Sequence, residues 1–98
     1  MNNYKYNVKY SSNFKKNLRK VIKQGKNIEK LLDIVDKLAN NEELELKHKN
    51  HKLINDKYYK NCGECHIEPD WLLVYKYQEN DLVLLLVDTG SHSDLFNK

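Results

Sequence analysis

One proline, three glycines, one methionine and two cysteines are all that this 98-residue chain holds of those residues. So little proline and glycine excludes a Pro/Gly-rich linker or a fibrous repeat. Two cysteines are too few for a disulfide scaffold. The longest mainly apolar run, 82–87, is far too short to cross a bilayer. Residues 1–5 contain no apolar export stretch, so a soluble, cytoplasmic protein with no membrane partner is expected. The first 26 residues lack acid altogether and carry eight bases. Residues 47–60 repeat the bias, with five bases and Asp56 alone against them. The net charge is only +3, but two basic blocks on one small globule point to a polyanion partner. A 40% apolar content argues against disorder, and the length suits a single domain, 1–98.

Tyr4, Tyr6, Val8 and Tyr10 alternate with polar residues, the period of a half-buried strand. Ser11, Ser12 and Asn13 are good caps for a helix whose apolar positions are Phe14, Leu18, Val21 and Ile22, with Gly25 as its stop. A second helix runs from about 27 to 40 on the stripe Ile28, Leu31, Leu32, Val35 and Leu38, capped by Asn27. So few residues separate the two that they should form a hairpin. Residues 41–57 show no clean period and read as a long loop with room for one short strand or turn. Strands are expected at 58–67, 71–77 and 82–87, the last apolar on both faces and therefore interior. Residues 91–96 suit one helical turn. The order β-α-α-β-β-β predicts an α+β fold, a helix hairpin on one face of a twisted antiparallel sheet with the other face open.

Four histidines stand out, and three of them, His51, His66 and His92, fall at element boundaries, where catalytic side chains tend to be mounted. With Asp70 and nearby lysines they could cleave RNA without metal or cofactor. A base takes the 2′-OH proton, an acid protonates the 5′-oxygen, and positive groups steady the charged phosphorane. Trp71, Tyr75 or Phe96 could stack on a splayed base, although core packing is the favoured reading of Trp71 and Tyr75. The sequence Cys62-Gly63-Glu64-Cys65-His66 has the form of a haem-attachment motif. Without an export stretch, and with Met1 the only methionine, that reading fails. Zinc through Cys62 and Cys65 is disfavoured because residues three apart on a strand point to opposite faces. The basic first helix reads as a nucleic-acid contact through Lys15, Lys16 and Arg19.

Three stretches carry a resemblance. They are Asn50-His51-Lys52-Leu53, then Cys65-His66-Ile67-Glu68-Pro69-Asp70-Trp71-Leu72-Leu73-Val74-Tyr75, then Thr89-Gly90-Ser91-His92-Ser93-Asp94-Leu95-Phe96. Together they resemble the YafQ family, RelE-superfamily toxins of bacterial type II toxin–antitoxin systems, over essentially the whole chain. The resemblance implies a RelE-like fold and a ribosome-dependent endoribonuclease, an mRNA interferase that cuts mRNA in the A site of the 70S ribosome and so inhibits translation. It implies catalytic roles at His51, His66, Asp70, His92 and Phe96, with Trp71 supporting the substrate site. His92 and His66 lead as acid and base, in either order. Asp70 orients one of them or is itself the base, and His51 binds the phosphate or shares the acid role. A cognate antitoxin, of RelB or DinJ type, is implied as the partner, with DNA contacted only through the antitoxin complex. In departure from the family pattern, Asn50 and Lys52 flank the loop histidine where Asp and Pro are usual. Gly63 stands where an arginine is common, so either Lys47, Lys49 or Lys60 meets the phosphate instead or cleavage is slower. The alternative is a catalytically weak module that only binds antitoxin or RNA. A third reading is a metal-binding redox protein built on Cys62, Cys65 and His66.

Overall fold

The computed structural model describes residues 4–96. Strand β1 (Asn7–Tyr10) leads into helix α1 (Ser12–Lys23) and helix α2 (Ile28–Ala39). After a 3-10 turn at Leu46–His48 come β2 (His51–Lys52), β3 (Gly63–Glu68), β4 (Trp71–Gln78), β5 (Val83–Gly90) and the short helix α3 (His92–Phe96). Both helix caps fall where the sequence puts them. Ser11 Oγ accepts the N–H of Phe14, and Asn27 Oδ1 accepts that of Glu29, each satisfying a donor that the first helical turn leaves orphaned.

The five strands form one sheet in the order β1-β5-β4-β3-β2. β2, β3, β4 and β5 pair antiparallel, but β1 runs parallel to β5, so the sheet is mixed rather than wholly antiparallel. The helix hairpin between β1 and the rest of the chain makes this possible, since a parallel pair needs a long crossover. Strand 82–87 is interior as expected, and it continues to Gly90.

One segment differs from the sequence pattern for a local reason. The segment 58–62 is not strand. Asp56 Oδ1 accepts the N–H groups of both Tyr58 and Tyr59, each at 2.9 Å, and this side-chain turn competes with strand pairing. Within the 41–57 loop, His51–Lys52 does pair, with His51 opposite Glu64 and Lys52 opposite Gly63.

Each face of the sheet has its own core. The helices cover one face, where Tyr6, Phe14, Leu31, Leu38, Trp71, Leu73, Leu84 and Leu86 are buried. The other face is not open. Tyr59, Cys62, Leu72, Val74 and Leu95 bury a smaller core there, flanked by Leu53, Val87 and Phe96. Its cover is the 53–62 loop and α3, neither of which has an apolar period long enough to announce itself.

Candidate active site

Strand alternation builds the first half of the site. Successive side chains point to opposite faces, so Cys65 and Ile67 enter the helix-side core while Glu64 and His66 share the other face. The β2–β3 register sets His51 across from Glu64. Glu64 Oε1 lies 3.6 Å from His51 Nε2 and 3.7 Å from His66 Nε2, and its side chain is only 6% exposed. A nearly buried carboxylate thus stands between two imidazoles.

The second half comes from the β4 entry and the β5 exit, which meet at Leu72 and Gly90. Gly90 has φ +154°, a conformation that side-chain-bearing residues rarely adopt, and a Cβ there would stand 3.2 Å from that of Asp94. The chain turns at Gly90 and starts α3 at His92. Asp70 Oδ1 accepts the backbone N–H of His92 at 3.1 Å and faces His92 Nδ1 at 3.3 Å. These two contacts, the backbone N–H foremost, hold the Asp70 carboxyl below the usual carboxylate range. The His66 and His92 rings meet edge to face, centroids 5.4 Å apart. Phe96, one turn along α3, lies 6.2 Å from the His92 ring and packs edge-on against Tyr59.

The hydrogen bonds also fix which nitrogen of each ring carries its proton. His66 Nδ1 faces the Pro69 carbonyl at 3.2 Å, and His51 Nδ1 faces the Lys49 carbonyl at 2.7 Å. A carbonyl only accepts, so each Nδ1 carries a proton and each Nε2 is left to exchange one. Asp70 imposes the same tautomer on His92. All three Nε2 atoms are therefore available for proton transfer, the arrangement that general acid–base chemistry requires.

A family model for the "Bacterial toxin of type II toxin-antitoxin system, YafQ" matches residues 6–97. The chain belongs to the YafQ toxin family. It is 34% identical over 90 residues to the mRNA interferase toxin YafQ of Escherichia coli strain B / BL21-DE3, covering 91% of this chain and 94% of that one. Among solved structures, a metal-bound toxin from Helicobacter pylori is 37% identical with a TM-score of 0.85, covering 93% of this chain and 99% of that one. The YafQ chain of the E. coli DinJ–YafQ complex is 33% identical with a TM-score of 0.81, covering 93% and 98%.

Of the residues that the YafQ resemblance nominates, His51, His66, Asp70, His92 and Phe96 gather around this one site. Trp71 does not belong to it as a substrate contact. It is 1% exposed, points to the helix-side core, and donates Nε1–H to Thr89 Oγ1 at 3.0 Å. Thr89 Oγ1 in turn donates to the Leu72 carbonyl at 2.7 Å, so Trp71 braces the β4–β5 pair behind the site. Lys47 and Lys49 are exposed and line a cleft of about 510 Å³ together with His48 and His66. Lys15, Lys16 and Arg19 are exposed on α1. One turn past Lys16, Lys20 reaches Asp94 of α3 at 3.6 Å, which ties the basic helix to the element carrying His92.

Two residues went unnominated. Glu64 could have been found, since it lies two positions before His66 on the same strand face. His48 turns its Nδ1 to the His66 carbonyl at 2.7 Å and so buttresses β3. The YafQ departure at Gly63 also has a physical reason. A Cβ there would stand 2.6 Å from the Tyr75 ring, whose hydroxyl bonds Asn50 Oδ1. Cys62 and Cys65 lie in separate cores on opposite faces, which removes the metal–redox reading built on them together. Burial pushes the Cys65 thiol up to about 12, so it is inert at neutral pH.

Proposed function

We propose that this YafQ-family toxin halts translation by cutting mRNA in the A site of the 70S ribosome. As a family member related to mRNA interferases, the chain is an endoribonuclease of a type II toxin–antitoxin system. The cut proceeds by attack of the ribose 2′-OH on the adjacent phosphorus. One imidazole of the His66–His92 pair takes the 2′-OH proton and the other protonates the departing 5′-oxygen, leaving a 2′,3′-cyclic phosphate. Asp70 orients His92 through its two contacts. Glu64 holds the His51 and His66 rings beside the phosphorane, and exposed His51 meets the phosphate. Phe96 positions the nucleotide next to His92. Lys15, Lys16, Arg19, Lys47 and Lys49 bind phosphates of mRNA and ribosomal RNA. The observation that carries this reading is the facing pair of imidazoles, each with its Nδ1 turned to an oxygen acceptor so that Nε2 is the nitrogen left to exchange a proton.

A DinJ-type antitoxin is the partner that blocks the site, by analogy with the E. coli complex, and DNA is met only through that complex. The toxin acts in the cytoplasm, where its substrate is translated. Primer extension on a defined mRNA, with and without ribosomes, tests the reading. In-frame cuts that need ribosomes support it, and cuts in naked RNA make the chain a free ribonuclease instead. The alternative of a binding module that does not cut draws on Gly63, where the common arginine is missing. Tight RNA binding without any product would favour it.

A further inference from the structure

We infer that the cleft on the helix side of β2 is a second RNA subsite, which holds phosphates of the mRNA strand next to the bond that is cut. The cleft has a volume of about 890 Å³, and Lys52, Lys57, Lys60, Gly63, Tyr75 and Glu79 are among the residues that line it. That is room enough for a nucleotide, and Gly63 contributes no side chain to fill it. Lys52, Lys57 and Lys60 are exposed. None of the three takes part in an ion pair among the described residues. Both acids that line the cleft are already engaged. Asp56 Oδ1 accepts the N–H groups of Tyr58 and Tyr59, and Glu79 Oε2 accepts the Tyr6 hydroxyl at 2.9 Å. Three cations without acidic partners in one cleft suit a polyanion.

The position of the cleft says which polyanion. Residues paired across two strands share a face. His51 therefore stands with Glu64 on the histidine face, and Lys52 stands with Gly63 on the helix side. β2 is two residues long and forms the edge of the sheet. No further strand separates the two faces there, and consecutive strand residues lie only about 3.3–3.4 Å apart. In the proposed cleavage, on which this part rests, His51 meets the phosphate. The same RNA strand reaches Lys52 by passing over that edge.

The loop that carries the other two lysines is shaped before RNA arrives. The Leu53 N–H donates to the Cys62 carbonyl at 2.9 Å and closes its base. Tyr59, buried beneath it, donates its hydroxyl to Asp88 Oδ2 at 2.7 Å. Cations mounted on a fixed loop lose less conformational freedom on binding.

Fluorescence anisotropy with a short labelled 2′-O-methyl RNA, which offers no 2′-OH to attack, reads binding apart from cutting. The full chain carrying Lys52→Gln, Lys57→Gln and Lys60→Gln should bind about 10-fold more weakly at about 0.1 M salt. Its slope of log affinity on log salt should shrink by about 0.7 for each phosphate no longer neutralised, roughly 2 in all. Lys9→Gln, on the opposite edge strand β1, should bind as wild type. An unaltered slope in the triple variant overturns the subsite. Photo-crosslinking then places the strand. With 4-thiouridine beside the A-site codon of a ribosome-bound mRNA, 2′-O-methylated at that codon, crosslinks to residues 52–63 are expected. Crosslinks of those residues to ribosomal RNA alone give the lysines to another RNA and overturn the proposal. A chain that binds the short RNA with this lysine dependence but never cuts keeps the RNA subsite and sinks the cleavage reading. Ribosome-dependent cutting with an unaltered salt slope does the reverse.

Discussion

The two faces of the sheet use the same strands for opposite ends. On β3, Cys65 and Ile67 face the helices, while Glu64 and His66 face the site. On the helix side, burial is broad and almost wholly apolar, and the tyrosines turn their hydroxyls to neighbours, Tyr6 to Glu79 and Tyr77 to the Leu38 carbonyl. On the other side, a core of five buried residues is rimmed by histidines and carboxylates. One face buries most of the core, and in the proposed function the other holds the chemistry. A period of two keeps them apart, so a substitution should damage one and spare the other.

The sharpest way to break this comparison is a large deletion on the helix side. Phe14→Ala removes a ring that is 1% exposed and should cost about 3–5 kcal/mol in urea unfolding. If that variant unfolds at the wild-type midpoint, the helix side is not the stabilising core. Next comes Gly63→Arg, which introduces the arginine that the family resemblance leads one to expect. Its Cβ would meet the Tyr75 ring at 2.6 Å, so overpacking should cost roughly 1–3 kcal/mol. Unchanged stability together with faster cleavage would show that the ring yields easily and that the chain simply lacks a useful cation.

A smaller effect appears in acid. The folded state lowers the Asp70 carboxyl's affinity for protons, so its hydrogen bonds stabilise the protein above the ordinary carboxylate range, and that stabilisation disappears as the pH falls through the depressed value. Thermal unfolding of Asp70→Asn should therefore depend less on pH than wild type below about pH 4. Equal slopes would mean that the Asp70–His92 pair forms no part of the folded state's linkage to protons. The mildest change is on α1. Replacing Lys15, Lys16 and Arg19 by Gln should leave folding intact and lower the salt dependence of RNA binding by about one logarithmic slope unit for each phosphate no longer neutralised. An unaltered slope would take this helix out of the interface.

Much of this division could be read from the residues. Both helices follow from capping side chains and apolar stripes whose signals are local. His51, His66, Asp70, His92 and Phe96 were legible as a group through the family resemblance, although only the register of β2 with β3 and the closure of β5 onto β4 bring them together. What stayed hidden depends on distant partners. Parallel pairing of β1 with β5 leaves no local trace. The second core was missed because Tyr59, Cys62 and Leu95 lie on a loop and one short helix, without a period. Trp71 could have been a stacking platform or a core residue, and only its Thr89 bond and burial decide between them. Glu64 was hidden by the cysteines around it, which drew the motif towards haem and zinc.

The measurement that bears most directly on the central claim is single-turnover cleavage of a ribosome-bound mRNA by wild type and His92→Gln, with urea unfolding of both. The imidazole is exposed, so stability should change by no more than about 0.5 kcal/mol, while the rate should fall about 10²–10⁴-fold. A wild-type cleavage rate in the variant would contradict the assignment of the histidine face as the catalytic one.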